Sequence, residues 1–237
     1  MKVYTIKFYF YGTDVIVPFN YGSELLSFLH RKILGENNSY HDSMSLYSIS
    51  PLFGSKTLKN GLLFKKGAIW LIRTPSIDVF KNFYLKAKNR IGSEFINGFT
   101  LKNVEFYITN FEKISELTIG VSPIFLGQNI NSNNRDHITY LHGIETTSAL
   151  MKNTLIGKAK KLGYNLNENE FNIEFDLTRP IKTKRILIDN VSNIATQGNV
   201  KITGNPDIIG LCYGLGIGRS TGCGFGFVYN VHDNDNL

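Results

Sequence analysis

The sequence predicts an α+β fold of two tandem ferredoxin-like (βαββαβ, RRM-like) domains, residues 1–114 and 115–237, and three observations predict it. The opening segment alternates apolar and polar residues with a period of two. The elements that follow run strand, helix, strand, strand, helix, strand, which is the split βαβ order. The same order then begins again near Leu117. At 237 residues the chain is long enough for two cores, and 42% hydrophobic with 19% charged residues is a globular balance.

In the first half, Tyr4, Ile6, Phe8 and Phe10 share one face of a strand, with Thr5, Lys7 and Tyr9 on the other. From Ser23 to about Leu34, Leu25, Leu26, Leu29 and Ile33 recur at helical spacing, and Gly35 is placed to terminate the helix. A polar loop, "GENNSYHD", leads to "SLYSISPL". Asn60-Gly61 favours a tight hairpin turn before the strand "GAIWLIR". After Pro75, "SIDVFKNFYLKAKNR" reads as a helix burying Val79, Phe80, Phe83 and Tyr84, and "FTLKNVEFYITNF" as the last strand of the unit.

The division falls around Glu112–Glu116. The second half opens with "LTIGVSPIFL" as a strand, then a helix whose Met151, Leu155, Ala159 and Leu162 share a face. "EFNIEFDLTR" is a strand, "RPIKTKRILID" a basic hairpin and "NVKITG" a further strand. Asn205 caps a short helix with Pro206 at its first position and Asp207 in its first turn, and that helix runs into Gly214. A strand from Cys223 to Val231 closes the unit. The stretch "QNINSNNRD" (Gln128–Asp136) is too polar to pack and is expected as a mobile loop.

The formal net charge of +7 reads either as the footprint of a polyanionic partner or as a basic surface that binds nothing charged. No run reaches the roughly 18 apolar residues of a membrane helix, and "MKVYTIKFYFYG" reads as a strand without a cleavage site, so a cytoplasmic location is expected. Cys212 and Cys223 lack zinc-site spacing and read as reduced thiols. His137 and His142 are five apart, too far round a helix to share a metal, and the carboxylates are dispersed, so neither a metal nor another cofactor is expected.

Six of the 22 glycines fall within thirteen residues, in "CYGLGIGRSTGCGFGFVYN". A cluster that dense opposes stability unless something must approach the main chain. In a final strand Gly222, Gly224 and Gly226 would form a bare face, and the loop before it could turn amides toward a phosphate, with Arg219 adding charge. The alternative is that the glycines only let helix and strand pack closely. No Lys-Ser/Thr follows at Walker spacing, and "GRSTG" lacks the strand, serine, helix order of a hydrolase elbow.

The segment "ITGNPDIIGLCYGLGIGRSTGCGFGFV" resembles the carboxyl-terminal signature of the CRISPR-associated endoribonucleases that cut precursor CRISPR RNA within its repeats, the sixth Cas protein family of the RAMP superfamily. The similarity is strong over about the last 30 residues, and "SISPLFG" (Ser48–Gly54) looks like the family's strand after the first helix. It implies two ferredoxin-like domains and RNA held by Gly214, Gly216, Gly218, Arg219, Ser220, Gly222 and Gly224. It also implies CRISPR repeat RNA as partner, with other CRISPR effector subunits besides, the protein acting as a monomer or homodimer away from membranes.

RNA can be cut without metal when its own 2′-hydroxyl attacks the adjacent phosphate, which requires a base, an acid and a cation. Histidine suits the first two roles. His41 lies in the loop after the first helix, where the resemblance places the catalytic histidine; by its local sequence alone it reads as a solvated loop residue. His30, at the flank of the apolar face, reads either as a half-buried structural residue or as the second proton-transfer group, with Tyr40 a further candidate. Lys32 or Lys56 would then stabilise the phosphorane charge. Arg179, Lys182, Lys184 and Arg185 read either as phosphate contacts or as a solvated basic turn, and Tyr9 and Tyr11 either as base-stacking or as packing residues. Two other functions stay open: a non-catalytic RNA-binding subunit, and an enzyme acting on a phosphorylated small molecule.

Overall fold

The computed structural model describes residues 1–40, 43–96, 98–127, 129–131, 134–135, 137–188 and 191–229. The first half comprises β1 (Lys2–Tyr11), β2 (Val15–Val17), α1 (Gly22–Ser27), β3 (Ser48–Ile49), β4 (Phe53–Thr57), β5 (Leu62–Thr74), α2 (Ile77–Lys88) and β6 (Thr100–Asn110). Its antiparallel sheet runs β2-β5-β1-β6, with β3 and β4 also paired to β5. Along the β6-β1-β5-β3 path this is ferredoxin-like connectivity. Ile6, Phe8 and Phe10 pack as their alternation predicts, against Leu25, Phe28 and Leu29 and against Val79, Phe80 and Phe83 of α2. Ser76 caps α2 by accepting from the Val79 amide at 3.3 Å.

The helix expected over 23–34 departs from regular geometry. After Ser27 it widens into a π-helical turn over Phe28–Ile33, with Leu34 N–H donating to Leu29 O at 2.9 Å. Such turns are rare and often occur at functional sites.

The second half comprises β7 (Glu116–Gly120), a small ladder of β8 (Asn129–Asn131) with β9 (Asn134–Arg135), α3 (Ile144–Lys161), β10 (Asn172–Phe175), β11 (Lys182–Ile188), β12 (Val191–Gln197), β13 (Asn199–Thr203) and α4 (Pro206–Leu215). Within the stretch expected as a loop over 128–136, the described residues 129–131 and 134–135 thus carry strand pairing, and the rest lies outside the described residues. Its sheet runs β10-β13-β7, and β11 pairs with β12 as a separate hairpin. The Asn205 side chain accepts from the Ile208 amide at 3.0 Å, so the expected start of α4 holds. The strand expected from Leu117 to Leu126 stops at Gly120, and Ser122-Pro123 interrupts it, leaving isolated bridges such as Ile124–Thr196.

The closing strand expected over Cys223–Val231 is not formed among the described residues. Thr221–Cys223 is a 3-10 turn, Gly224 and Gly226 have φ of +92° and +60°, and a single bridge joins Val228 to Val121. Left-handed backbone cannot run a ladder, so the period-two face inferred from the glycines does not exist.

The two halves are packed together. Val3 and Thr5, on the face of β1 opposite the first core, are fully buried, and Val3 belongs to the second core with Leu211 and Tyr213. Arg73 of β5 is also fully buried, its guanidinium 3.8 Å from the Tyr213 ring centroid and 4.4 Å from that of Phe227. It donates to the Val228 carbonyl as well. A planar cation between two aromatic faces is well suited to this seam.

Candidate functional site

A cleft of about 1300 Å³ lies between the π-helical turn and Ser43–Tyr47 of the first half, and α3, Ile188 of β11 and the glycine-rich loop of the second. That exceeds the roughly 300–1,000 Å³ of small-molecule pockets. His30, Arg31, Tyr40, Tyr47, Lys158, Arg219 and Ser220 all line it.

His30 is held at both ring nitrogens. The Asn38 amide donates to the carbonyls of His30 at 3.0 Å and Gly35 at 2.6 Å, which turns its Oδ1 toward the imidazole, 3.3 Å from Nδ1. That acceptor requires the proton on Nδ1, so Nε2 presents its lone pair. The Tyr47 hydroxyl stands 3.4 Å from Nε2 as the donor. Burial pushes the Tyr47 phenol up from its ordinary value, so it keeps its proton. The π-helical turn and the loop behind it, closed by Asn38, therefore orient one imidazole in the cleft wall.

Tyr40 also reaches the cleft. Its oxygen accepts from Asn82 Nδ2 at 3.1 Å and its ring stands edge-on to Phe83 of α2, 4.9 Å between centroids. His41 lies outside the described residues. Lys32 is exposed and is not among the cleft residues, because two positions along a helical turn carry it away from the face of His30. Lys56, exposed on β4, is not among them either. The cations of the cleft are instead Arg31, Lys158 and Arg219.

The glycines divide. A Cβ on Gly214 would meet Pro75 Cδ at 2.8 Å, on Gly216 the Gly226 carbonyl at 2.8 Å, on Gly218 the Phe125 carbonyl at 2.8 Å, and on Gly226 the backbone of Ile217. All four are buried, so they form a packing seam rather than a ridge open to RNA. Gly222 packs on Ser45 and Tyr47 at the cleft edge, whereas nothing lies within 4 Å of a Cβ on Gly224. Ser48 Oγ donates to Gly214 O at 3.1 Å and Thr221 Oγ1 to Tyr47 O at 2.9 Å. The close approach allows these bonds between the halves, and Arg219 and Ser220 are left as the exposed tip of the loop.

Lys182 and Lys184 share a face of β11 with Ile186 and Ile188, so they lie on a line that leads to the cleft at Ile188. Arg185 points to the opposite face and Arg179 precedes the strand; all four basic residues are exposed. Burial of the part of its side chain that packs against the protein, and then the neighbouring Lys182, hold Lys184 below the usual lysine range even though it is largely exposed. Tyr9 donates to Glu105 at 2.9 Å, which engages its hydroxyl, while Tyr11 is 61% exposed.

Sequence reasoning missed Asn38, Tyr47, Thr221 and Lys158. Lys158 did leave a signal: it lies three residues after Leu155 and seven after Met151, on the apolar stripe of α3. It is 2% exposed and donates to Leu215 O at 3.1 Å, Gly218 O at 3.0 Å and Thr221 Oγ1 at 2.9 Å. Burial pushes its pKa down to about 7, with the neighbouring Cys212 acting in the other direction. Among the described residues no three His, Cys, Asp or Glu side chains cluster as a metal site, and no helix is long and apolar enough to cross a membrane.

The chain is 25% identical to the CRISPR-associated endoribonuclease Cas6 1 of Methanocaldococcus jannaschii, over 93% of this chain and 89% of that protein. Its fold resembles that of a RAMP protein binding different RNA substrates, with a TM-score of 0.78, 19% identity and coverage of 96% of this chain and 98% of the other. A Cas6-related protein of Pyrococcus furiosus matches with a TM-score of 0.77, 18% identity and 97% of each chain. Residues 81–229, well over half of the sequence, match the family model described as CRISPR associated protein Cas6, C-terminal. The tandem ferredoxin-like chain therefore belongs to the Cas6 family of CRISPR-associated proteins.

Proposed function

We propose that the protein is an endoribonuclease that processes precursor CRISPR RNA, cutting within the repeats without a metal ion. The observation that carries this reading is the His30 imidazole, fixed between Asn38 and Tyr47 in a cleft that also holds Arg31 and Arg219. Family membership and the M. jannaschii endoribonuclease support the activity. The cleft's size favours a polymer over a phosphorylated metabolite.

In the proposed reaction a base takes the proton of the 2′-hydroxyl and O2′ attacks the adjacent phosphorus. The P–O5′ bond breaks and an acid protonates O5′, leaving a 2′,3′-cyclic phosphate and a 5′-hydroxyl. His30 and His41 divide the two proton transfers. Nε2 of His30 is the atom that accepts, once the substrate hydroxyl displaces the Tyr47 hydroxyl from it, and His41 keeps its role on the family resemblance, with Tyr40 before it and Ser43 two positions after it both lining the cleft. Arg31 and Arg219 replace Lys32 as the charges that meet the phosphorane. Lys182 and Lys184 extend the positive track along β11 toward the flanking RNA.

The test is incubation of labelled repeat RNAs with the protein in chelator, scoring the cut position, for wild type, His30→Ala and His41→Ala. Either substitution is expected to slow cleavage about 100- to 10,000-fold while RNA affinity stays nearly intact. Binding without any cleavage by the wild type would instead identify a non-catalytic RNA-binding subunit.

A further inference from the structure

We propose that Lys158 is a positioning residue: its ammonium holds the glycine-rich loop in the shape that presents Arg219 and Ser220 to the RNA, and ties that loop to Tyr47 beside His30. The inference deepens the reading of the cleft as an RNA site and rests on it.

Three acceptors converge on one buried cation. Leu215 O is the last carbonyl of α4, at the negative end of the helix, where no further turn supplies an amide. Gly218 O comes from the loop itself, and Thr221 Oγ1 from the turn after it. The Thr221 hydroxyl gives its own proton to Tyr47 O, so toward Lys158 it can only accept. Three acceptors need three protons, which an ammonium has and a neutral amine lacks, so the tie is complete below the folded pKa of about 7 and loses one bond above it.

Between those anchors two backbone bonds also hold the loop, Ile217 N–H to Gly226 O and Arg219 N–H to Phe125 O, each 2.8 Å, but among the described residues Lys158 is the side chain that ties Gly218 to Thr221. Gly216, Gly218 and Ser220 have φ of +70°, +80° and +53°, and serine pays for the left-handed region where glycine does not. Arg219 and Ser220 sit between the Gly218 and Thr221 anchors, so Lys158, together with the Arg219 N–H bond to Phe125 O, fixes the point from which the Arg219 guanidinium reaches into the cleft. The second link runs through Thr221 to the Tyr47 backbone, and so to the phenol that faces His30 Nε2.

The surrounding groups leave Lys158 as the charge that organises these carbonyls. Cys212 of α4 is a thiol whose pKa burial pushes up to about 12, so it stays neutral. Tyr47 of the β3 segment is a protonated phenol, and Arg219, Cys223, His30, Arg31 and Glu36 line the cleft around it. Its three hydrogen-bond partners are two carbonyls and a hydroxyl, none of them a carboxylate.

The experiment combines amide hydrogen exchange of the free protein at about pH 6, where Lys158 is charged, with a double-mutant cycle on repeat-RNA affinity at the same pH, using Lys158→Met, Thr221→Val, Arg219→Ala and Lys158→Met/Arg219→Ala. Lys158→Met is expected to speed exchange across 214–224 at least about tenfold, while β1 and β5 stay protected. It should weaken RNA binding about as much as Arg219→Ala does, and the double variant should be within about twofold of Lys158→Met alone. Thr221→Val removes one of the three Lys158 bonds, together with the bond to Tyr47 O, and should raise loop exchange to a smaller degree than Lys158→Met, which keeps the test decisive if Lys158→Met does not fold. Unchanged loop exchange in both variants, or effects of Lys158→Met and Arg219→Ala that multiply, would overturn the proposal. If the wild type binds no repeat RNA, the functional reading fails, and the exchange data alone decide whether Lys158 holds the loop.

Discussion

His30 has its tautomer set by Asn38 and its remaining nitrogen faced by Tyr47, so the hydroxyl of Tyr47 is expected to matter to rate and little to folding. Tyr47→Phe should lower the single-turnover cleavage rate about tenfold or more, with a thermal midpoint close to wild type; an unchanged rate would remove Tyr47 from the account. Lys158 yields a pH prediction. Its folded pKa of about 7 lies below the ordinary lysine value of 10.5, so between them the unfolded chain binds the proton that the folded chain has released, and this group's contribution to stability rises with pH. Cys212, raised to about 12 from 9.0, has the opposite effect above pH 9, which leaves pH 7 to 9 as the clean window. Denaturant unfolding across that window should show the wild type gaining stability relative to Lys158→Met, and parallel profiles would contradict it. At this scale the sequence showed the residue types but not their partners. A lysine on the apolar stripe of α3 was visible, whereas its three acceptors come from 57 to 63 positions away.

At the scale of elements, the glycine-rich segment is two structures in succession, a packing seam and a cleft edge. Gly226→Ala would drive a Cβ into the Ile217 backbone from a left-handed conformation, and should cost several kcal/mol, well above the roughly 1–3 kcal/mol of the backbone strain alone. Gly224→Ala carries the strain without the collision and should cost only about 1–3 kcal/mol. Comparable losses in denaturant titrations would mean that the seam is not as tight as described. The glycine spacing was legible as a need for close approach, but its direction was not. A period-two reading assumes an extended backbone, and positive φ at Gly224 and Gly226 breaks that assumption. The π-helical turn was illegible for a related reason: Leu25, Leu29 and Ile33 fit a regular helix equally well, and only Leu34 bonding back to Leu29 distinguishes the two.

Across the whole molecule, element order was enough to give both ferredoxin-like halves, because alternation and helical periodicity are local signals. How the halves meet was not, because it depends on side chains such as Arg73, which reads as one more strand cation until Tyr213 and Phe227 close on it. Arg73→Ala should destabilise the protein by at least about 2 kcal/mol, and Arg73→Lys should not restore it, since an ammonium lacks the planar stacking surface. The cleft exists only because that seam sets the π-helical turn against the glycine-rich loop. The claim that this cleft cuts RNA through the substrate's own 2′-hydroxyl is tested most directly by single-turnover assay, in chelator, of repeat RNA carrying one 2′-deoxynucleotide at the scissile position. The account predicts that the all-ribose RNA is cut and the deoxy-substituted RNA is bound equally well but left whole. Cleavage of the substituted RNA at the same position would contradict it.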